Sequence, residues 1–208
     1  MCWLAMDRAI AIAESTGRPA DLDSWRRERD AIRDDVLLKG WNQGIQSFVQ
    51  YYGAGHTDAA LLMLPMVGFI DAGHARMRAT VQRIREELDD NGLLRRYRTD
   101  RADDGLKGQE GVFTMCTLWL GGYLTFVGEM EEARRIFEEV LARGNHLGLF
   151  SEMVHPVTGE ALGNFPQAFT HVSLIHTARN LDLALQRREA PEPAEVRLGE
   201  PGAGADAR

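Results

Sequence analysis

Gly111-Val112-Phe113-Thr114-Met115-Cys116-Thr117-Leu118-Trp119-Leu120-Gly121-Gly122-Tyr123-Leu124-Thr125-Phe126-Val127 is apolar nearly all the way round the helix it predicts. Such a helix must be covered on most of its sides. The next stretch behaves differently. From Glu129 to Arg143 the chain is amphipathic, with Ala133, Ile136, Phe137, Val140 and Leu141 facing inward. A buried helix followed by a one-sided helix is a hairpin with one arm inside a core and the other on its outer surface.

The same alternation precedes it. A helix expected from about Asp58 to Leu64 is largely apolar, and the one starting near Gly73 carries Met77, Val81, Ile84 and Leu88 on a single face. Earlier still, Trp3, Met6, Ile10 and Ala13 recur at helical spacing until Gly17-Arg18-Pro19. A second helix is expected from Trp25 to Lys39, with Ser24 as its cap, Glu28 in capping-box position and Gly40 as its stop. Ser47 to Tyr52 is β-prone, Leu93 to Lys107 reads as loop, and the last helix spans Gln167 to Gln186. Beyond Glu189 the composition turns to Pro, Glu, Gly and Ala, so residues 189–208 are expected to form a disordered tail after a folded unit of 1–188. Apolar arms alternating with amphipathic arms predict an all-α fold with an inner and an outer ring of helices. Stacked tetratricopeptide pairs would alternate too, but their Trp, Gly, Tyr and Pro do not recur here at fixed offsets.

With 208 residues, 44% of them hydrophobic, the chain can bury a substantial core. Its net charge of -7 argues against nucleic acid or an anionic membrane as partner, because both are bound through basic patches. Cys2 and Cys116 have no paired spacing, which excludes a disulfide framework and a Cys-rich zinc site and fits a reducing cytoplasm. The six histidines form no metal signature, and no P-loop, dinucleotide fingerprint or nucleophile elbow is present, so neither a metal nor another cofactor is expected.

Three long loops, Gly40 to Thr57, Leu93 to Glu110 and Gly144 to Pro166, each lead from an outer helix to the next inner one. In a ring of hairpins they gather at one end, and loops of that length usually carry function. They and the residues just after them supply Trp41, Gln50, Tyr51, Asp58, Arg98, Asp100, Glu110, Glu152, Asn164 and Gln167. Carboxylates, amides, an arginine and aromatic rings are what a sugar site needs. Glu152 is the acid/base candidate, since Leu149, Phe150, Met153 and Val154 surround it with apolar neighbours. It could equally be a loop cap. Glu110 could be a first-turn acid favoured by a helix dipole or a substrate contact. Arg98 could bind a hydroxyl or form a surface ion pair. Asp58 reads as a helix-start residue, and Trp41 is the tryptophan best placed to stack on a sugar.

Several stretches resemble glycoside hydrolase family 15, the glucoamylases and bacterial trehalase-like enzymes. They are Met1 to Ala9, Trp25 to Ile32, Asp58 to Pro65, Tyr97-Arg98 through Gly108-Gln109-Glu110-Gly111, and Ser151-Glu152 through Asn164-Phe165-Pro166-Gln167-Ala168-Phe169. Their order and spacing extend over nearly all of residues 1–186. The resemblance implies part of an (α/α)6 toroid and an inverting hydrolase of α-glucosidic bonds, with trehalose favoured over α-glucan ends. It implies that Glu152 is the general base, that Arg98 binds sugar, and that Glu110 lies at the pocket rim; Trp41 and Gln167, from their places in and beside the loops, are further substrate-binding candidates. Met153 stands where the family usually has Gln or Glu. The family's general acid lies in a Trp-Glu segment upstream of the stretch matched by Met1 to Ala9, so the acid and the N-terminal part of the enzyme are expected to be missing. The chain alone is then expected to be inactive. Three competing readings remain: a helical-repeat module that binds a peptide, a different toroid enzyme such as a sugar epimerase, and a remnant that binds sugar without turnover.

Overall fold

The computed structural model describes residues 1–101 and 110–189. The expected tail lies outside the described residues except for Glu189, which ends the last helix.

The first hairpin pairs α1 (Cys2–Thr16) with α2 (Leu22–Lys39). Gly17 closes α1 in the left-handed conformation, at φ 64°, where a Cβ is unwelcome. Helix α2 begins earlier than Ser24 predicts. The cap is Asp21, whose carboxylate accepts the Ser24 backbone N–H at 3.1 Å. Both Asp and Ser cap well, and Glu28 lies four residues after Ser24, one more than a capping box spans. Trp41, expected in a loop, lies in β1 (Trp41–Asn42), which pairs with β2 (Ser47–Phe48).

The second inner arm is broken. A 3-10 turn, Ala59–Leu62, runs into the four-residue α3 (Met63–Met66), where Pro65 is buried. Its outer arm is α4 (Ala75–Leu88), whose buried Met77, Val81, Ile84 and Leu88 form the predicted stripe. A short hairpin of β3 (Asp89–Asp90) and β4 (Leu93–Leu94) follows. Two residues of β5 (Val112–Phe113) lead into α5 (Thr114–Val127). Helix α6 (Met130–Leu141) packs beside α5 through Ala133, Ile136 and Val140. The last connection carries β6 (Met153–Val154) and β7 (Ala161–Leu162), which extend β5 into a three-stranded antiparallel sheet. Helix α7 (Ala168–Glu189) ends the described chain.

Helix α5 is the centre of the molecule. It touches α3, α6 and α7, and nine of its fourteen residues are buried. Gly121 faces α6 and α7, where a Cβ would make ordinary contact with Ile136 Cγ2 and Thr177 Cγ2, whereas a Cβ at Gly122 would stand 2.7 Å from Met66 Cε of α3. Helix α7 is turned in an unusual sense. Its buried positions include Thr170, Ser173 and Thr177, while Phe169, Val172 and Ile175 are exposed. Thr170 and Thr177 donate their hydroxyls to the carbonyls of Ser151 and Leu118. At the other end of the series, Trp3 of α1 meets Phe69 edge to face at 5.2 Å. The inner arms therefore follow one another as α1, α3, α5 and α7, with α2, α4 and α6 outside.

Candidate active site

The segments that follow the long connections tie them together at one end of the ring, and the second connection is also closed on itself. Ala59 donates its N–H to the Arg96 carbonyl, and Arg95 reaches the Glu110 carbonyl at 2.9 Å. Val112 then pairs with Val154. The convergence expected from topology is a set of real contacts between these segments.

Glu152 stands on a loop rooted on both sides. Phe150 is buried against Leu118 and Val140. Ser151 and Val154 are buried as well. The Thr114 N–H at the start of α5 donates to the Glu152 carbonyl at 3.2 Å. The Glu152 side chain is left half-buried, between fixed neighbours. Its N–H donates to the Asn164 carbonyl at 2.9 Å. One carboxylate oxygen, Oε2, accepts both the Asn164 backbone N–H at 3.0 Å and the Asn164 Nδ2 at 2.8 Å. The other oxygen, Oε1, takes part in no hydrogen bond among the described residues. Gly163 makes the clamp possible. Its φ is 73°, and a Cβ there would lie 2.8 Å from Glu152 Oε2 and 3.0 Å from Met153 Cε. A carboxylate fixed by one oxygen and open at the other is suited to accept a proton at a defined point.

Glu110 lies just before β5, so the sheet brings its backbone near the Glu152 strand. A Cβ at neighbouring Gly111 would stand 2.7 Å from the Val154 carbonyl. The Glu110 carboxylate pairs with Arg96 at 3.0 Å. Arg96 also lies over the rings of Tyr97 and Phe113, with its guanidinium carbon 4.3 and 4.9 Å from their centroids. No sequence signal singles out Arg96, because its place depends on rings brought together by the fold. Asp58 is nearby. It caps the 3-10 turn through the Ala60 N–H at 2.7 Å and accepts from Gln50 Nε2 at 3.0 Å. Gln50 in turn takes the His56 ring nitrogen at 2.8 Å. Burial raises the Asp58 carboxyl above its ordinary range, against the lowering effect of the Ala60 and Gln50 donors. Burial also pushes the Cys116 thiol up, with a further contribution from the Asp58 charge.

Arg98 grips Asp100 through two bonds of 2.8 and 2.7 Å. That pair holds the exposed Asp100 carboxyl down at about 2. Arg98 borders a cleft of about 460 Å³ that it shares with Glu86, Glu87, Asp89, Arg95 and Thr99. Gln167 binds the loop to the helix: its N–H donates to the Phe150 carbonyl at 2.9 Å, and its Oε1 accepts the Phe169 N–H at 3.3 Å. Trp41 is set apart. It packs edge to face on Phe48 at 5.4 Å, under Arg76 at 5.1 Å, and no hydrogen bond or ring contact joins it to Glu152. Of the residues singled out in the sequence, the structure thus joins Glu152 with Asn164 and brings Glu110 and Gln167 onto adjoining segments. Arg98 and Trp41 stand on other parts of the loop end. Among the described residues no group of His, Cys, Asp and Glu is arranged to hold a metal ion, and no helix is long and apolar enough to cross a membrane.

Helical hairpins with loops gathered at one end, inner arms in sequence and outer arms around them, define a partial (α/α)6 toroid. The solved structures agree. The fold is similar to a bacterial glucoamylase complexed with acarbose, with a TM-score of 0.72, 16% identity, and coverage of 90% of this chain and 35% of that one. It is also similar to the glucoamylase from Saccharomycopsis fibuligera, with a TM-score of 0.66, 11% identity, and coverage of 88% and 54%. The family model described as glycosyl hydrolases family 15 matches residues 1–179, and the chain belongs to that family. It is 44% identical over 189 residues to a trehalase of Thermoplasma volcanium. That match covers 90% of this chain and 30% of the trehalase, so the chain spans under a third of that relative's length.

Proposed function

We propose that these residues are the general-base part of an inverting glycoside hydrolase that acts on α-glucosidic bonds, with trehalose as the favoured substrate. The observation that carries this reading is the asymmetry at Glu152: Oε2 is held by both Asn164 donors, and Oε1 has no hydrogen bond among the described residues. In an inverting hydrolysis one carboxylate removes a proton from water as that water attacks the anomeric carbon. A carboxylic acid on the opposite side protonates the departing oxygen, roughly 6.5–9.5 Å from the first group. Glu152 is the base. The acid belongs to a segment outside these 208 residues, the N-terminal part of the enzyme, so the chain alone does not turn over. Arg98 and Glu110 bind sugar hydroxyls once substrate exchanges for Asp100 and shares Arg96. Gln167 lies at the pocket wall, and Trp41 offers the ring face not covered by Arg76. Two unpaired cysteines suit a cytoplasmic enzyme.

The 44% identity allows a direct test in a chimera. This chain replaces the segment it matches in the Thermoplasma volcanium trehalase, and trehalose hydrolysis is measured. The chimera is expected to be active, and Glu152→Gln is expected to lower kcat by about a thousandfold or more, as loss of an essential proton acceptor does. An active chimera indifferent to Glu152→Gln would overturn the assignment. A second reading, a module that binds without turnover, is favoured by the exposed Phe165, Phe169, Val172 and Ile175. It predicts an inactive chimera that still binds sugar, seen as a change in tryptophan fluorescence.

A further inference from the structure

We propose that Tyr51, with Tyr52 beside it, is a stacking platform that holds a glucose ring of an α-linked saccharide at the rim of the loop end, apart from the Glu152 clamp. The sugar class rests on the hydrolase reading, but the platform is argued from the packing of its turn. The Tyr51 carbonyl accepts the Ala54 N–H at 3.0 Å, and Gly53 between them has a φ of 84°. Tyr51 to Ala54 is therefore a tight turn of the kind that needs glycine at its third position. The turn is pinned from below. Ala54 is buried, and its carbonyl accepts Asn42 Nδ2 at 2.9 Å. Val49 is buried too, and its N–H donates to the Gly40 carbonyl at 2.9 Å. Aromatic rings normally go into a core or an interface. Here two adjacent ones stand out on a fixed turn, 58 and 49% exposed.

A buried line of polar groups fixes Tyr51. Its ring meets the His56 ring edge to face at 5.7 Å. His56 is buried, and its Nε2 lies 2.8 Å from Gln50 Oε1. Gln50 Nε2 donates to Asp58 Oδ2 at 3.0 Å, and Asp58 Oδ1 is held by the Ala60 N–H at 2.7 Å. An amide oxygen only accepts, so His56 Nε2 carries the proton. Polar side chains out of water are costly unless each is bonded, and this bonded line ends under one exposed ring. The edge-to-face contact leaves at least one face of Tyr51 to solvent. Lys39, paired with Asp35 at 2.6 Å, lies 5.9 Å from the centroid of the Tyr52 ring. A Cβ at Gly53 or Gly55 would meet nothing within 4 Å, so the surface beside the rings is open. Ring faces bordered by an ammonium, a carboxylate and backbone amides suit a pyranose. Its C–H face meets the ring while its hydroxyls meet the polar border. At the inner end of the line, Ala59 donates to the Arg96 carbonyl at 2.9 Å. The platform thus belongs to the same loop end as the Arg96–Glu110 pair.

The test titrates the 208-residue chain with maltotriose and follows the sugar protons by saturation-transfer difference NMR. Maltotriose is expected to bind, with the strongest transfer to the C–H protons of one ring. Tyr51→Ala is expected to weaken binding at least about fivefold and Tyr51→Phe to stay within about twofold of the parent, because the ring and not the hydroxyl stacks. His56→Ala, which removes the ring that orients Tyr51, is expected to weaken binding as well. Tyr51 is exposed, so its variants should stay folded, which circular dichroism checks. Absence of binding, binding indifferent to Tyr51→Ala, or a loss with Tyr51→Phe as large as with Tyr51→Ala overturns the platform. A folded His56→Ala variant that binds like the parent overturns the positioning line. Binding that depends on Tyr51, together with an inactive trehalase chimera, supports the platform and counts against the hydrolase reading alone. An active chimera with binding independent of Tyr51 overturns the platform alone.

Discussion

Glu152 is held through one residue, Asn164, which supplies a carbonyl to its N–H and two donors to its Oε2. In the active chimera Asn164→Ala removes the Nδ2 donor and leaves only the backbone N–H on Oε2, so kcat is expected to fall about 10- to 100-fold with little change in KM, since a carboxylate held by one donor instead of two positions the attacking water less well. An equal rise in KM would instead assign Asn164 to substrate binding. Gly163→Ala acts on the same point by force. Its φ of 73° and the 2.8 Å approach to Glu152 Oε2 leave no room for a methyl group. The left-handed conformation alone costs a non-glycine residue about 1–2 kcal/mol, so a lowered melting temperature is expected, and an unchanged one contradicts the clamp. Asp58 gives a pH signature. Burial raises its carboxyl above the ordinary 3.8, so the folded chain holds that proton more tightly than the unfolded chain. Stability should fall as pH rises from 3.8 through the raised value and then level off. Asp58→Asn, which can still cap the turn, should flatten that slope in urea titrations across the acid range. A slope that persists assigns it to another group. Glu152 stands out in the sequence as a candidate through its apolar neighbours, its place before a helix and the family resemblance of its segment. Asn164 was visible only as one amide among several, because the backbone turn that folds it back onto Glu152 depends on Gly163 and on the pairing of β6 with β7.

Among the elements, α5 is the one whose fate the sequence dictated most strongly, and it is also the most sensitive to small changes. Gly121 and Gly122 are adjacent but not equivalent. A Cβ at Gly121 would meet Ile136 Cγ2 and Thr177 Cγ2 at 3.4 and 3.5 Å, ordinary contact, whereas one at Gly122 would press on Met66 Cε at 2.7 Å. Gly121→Ala is therefore expected to gain up to about 1 kcal/mol of helix propensity, and Gly122→Ala less or nothing, as read from chemical denaturation. The reverse order would show that α7 sits differently on α5. The helices were read from their periodicity, and their stripes agree with the burial of Met77, Val81, Ile84 and Leu88 in α4 and of Ala133, Ile136 and Val140 in α6. Of the strands, only β2 (Ser47–Phe48) lies in a stretch that the sequence marks as β-prone, Ser47 to Tyr52. Each has two residues, too few for alternation to register, and they exist because loop segments meet. The third helix was read as continuous but is a 3-10 turn and a short α-helix around the buried Pro65, since proline removes the donor that an unbroken helix needs.

For the molecule as a whole, the alternation of buried and amphipathic arms predicts a helical ring, but it does not predict how α7 is turned. The hydroxyls of α7 satisfy carbonyls of the loop and of α5, which is why small polar residues lie inside. Its large apolar residues wait on the other face. Nothing in the periodicity of a single helix says which of its faces meets the rest of the chain, so that reversal emerges only from the packing. The ring geometry then bears on the chemistry. In the proposed mechanism this chain carries one carboxylate of a pair, and the orientation of Glu152 toward an incoming water decides the stereochemical outcome. The most direct measurement is the anomeric composition of the first glucose released from trehalose by the active chimera, followed by proton NMR before mutarotation. Inversion at one carbon, with Glu152 as base, predicts equal amounts of α- and β-glucose. Release of α-glucose alone would mean a retaining displacement and would contradict the role assigned to Glu152.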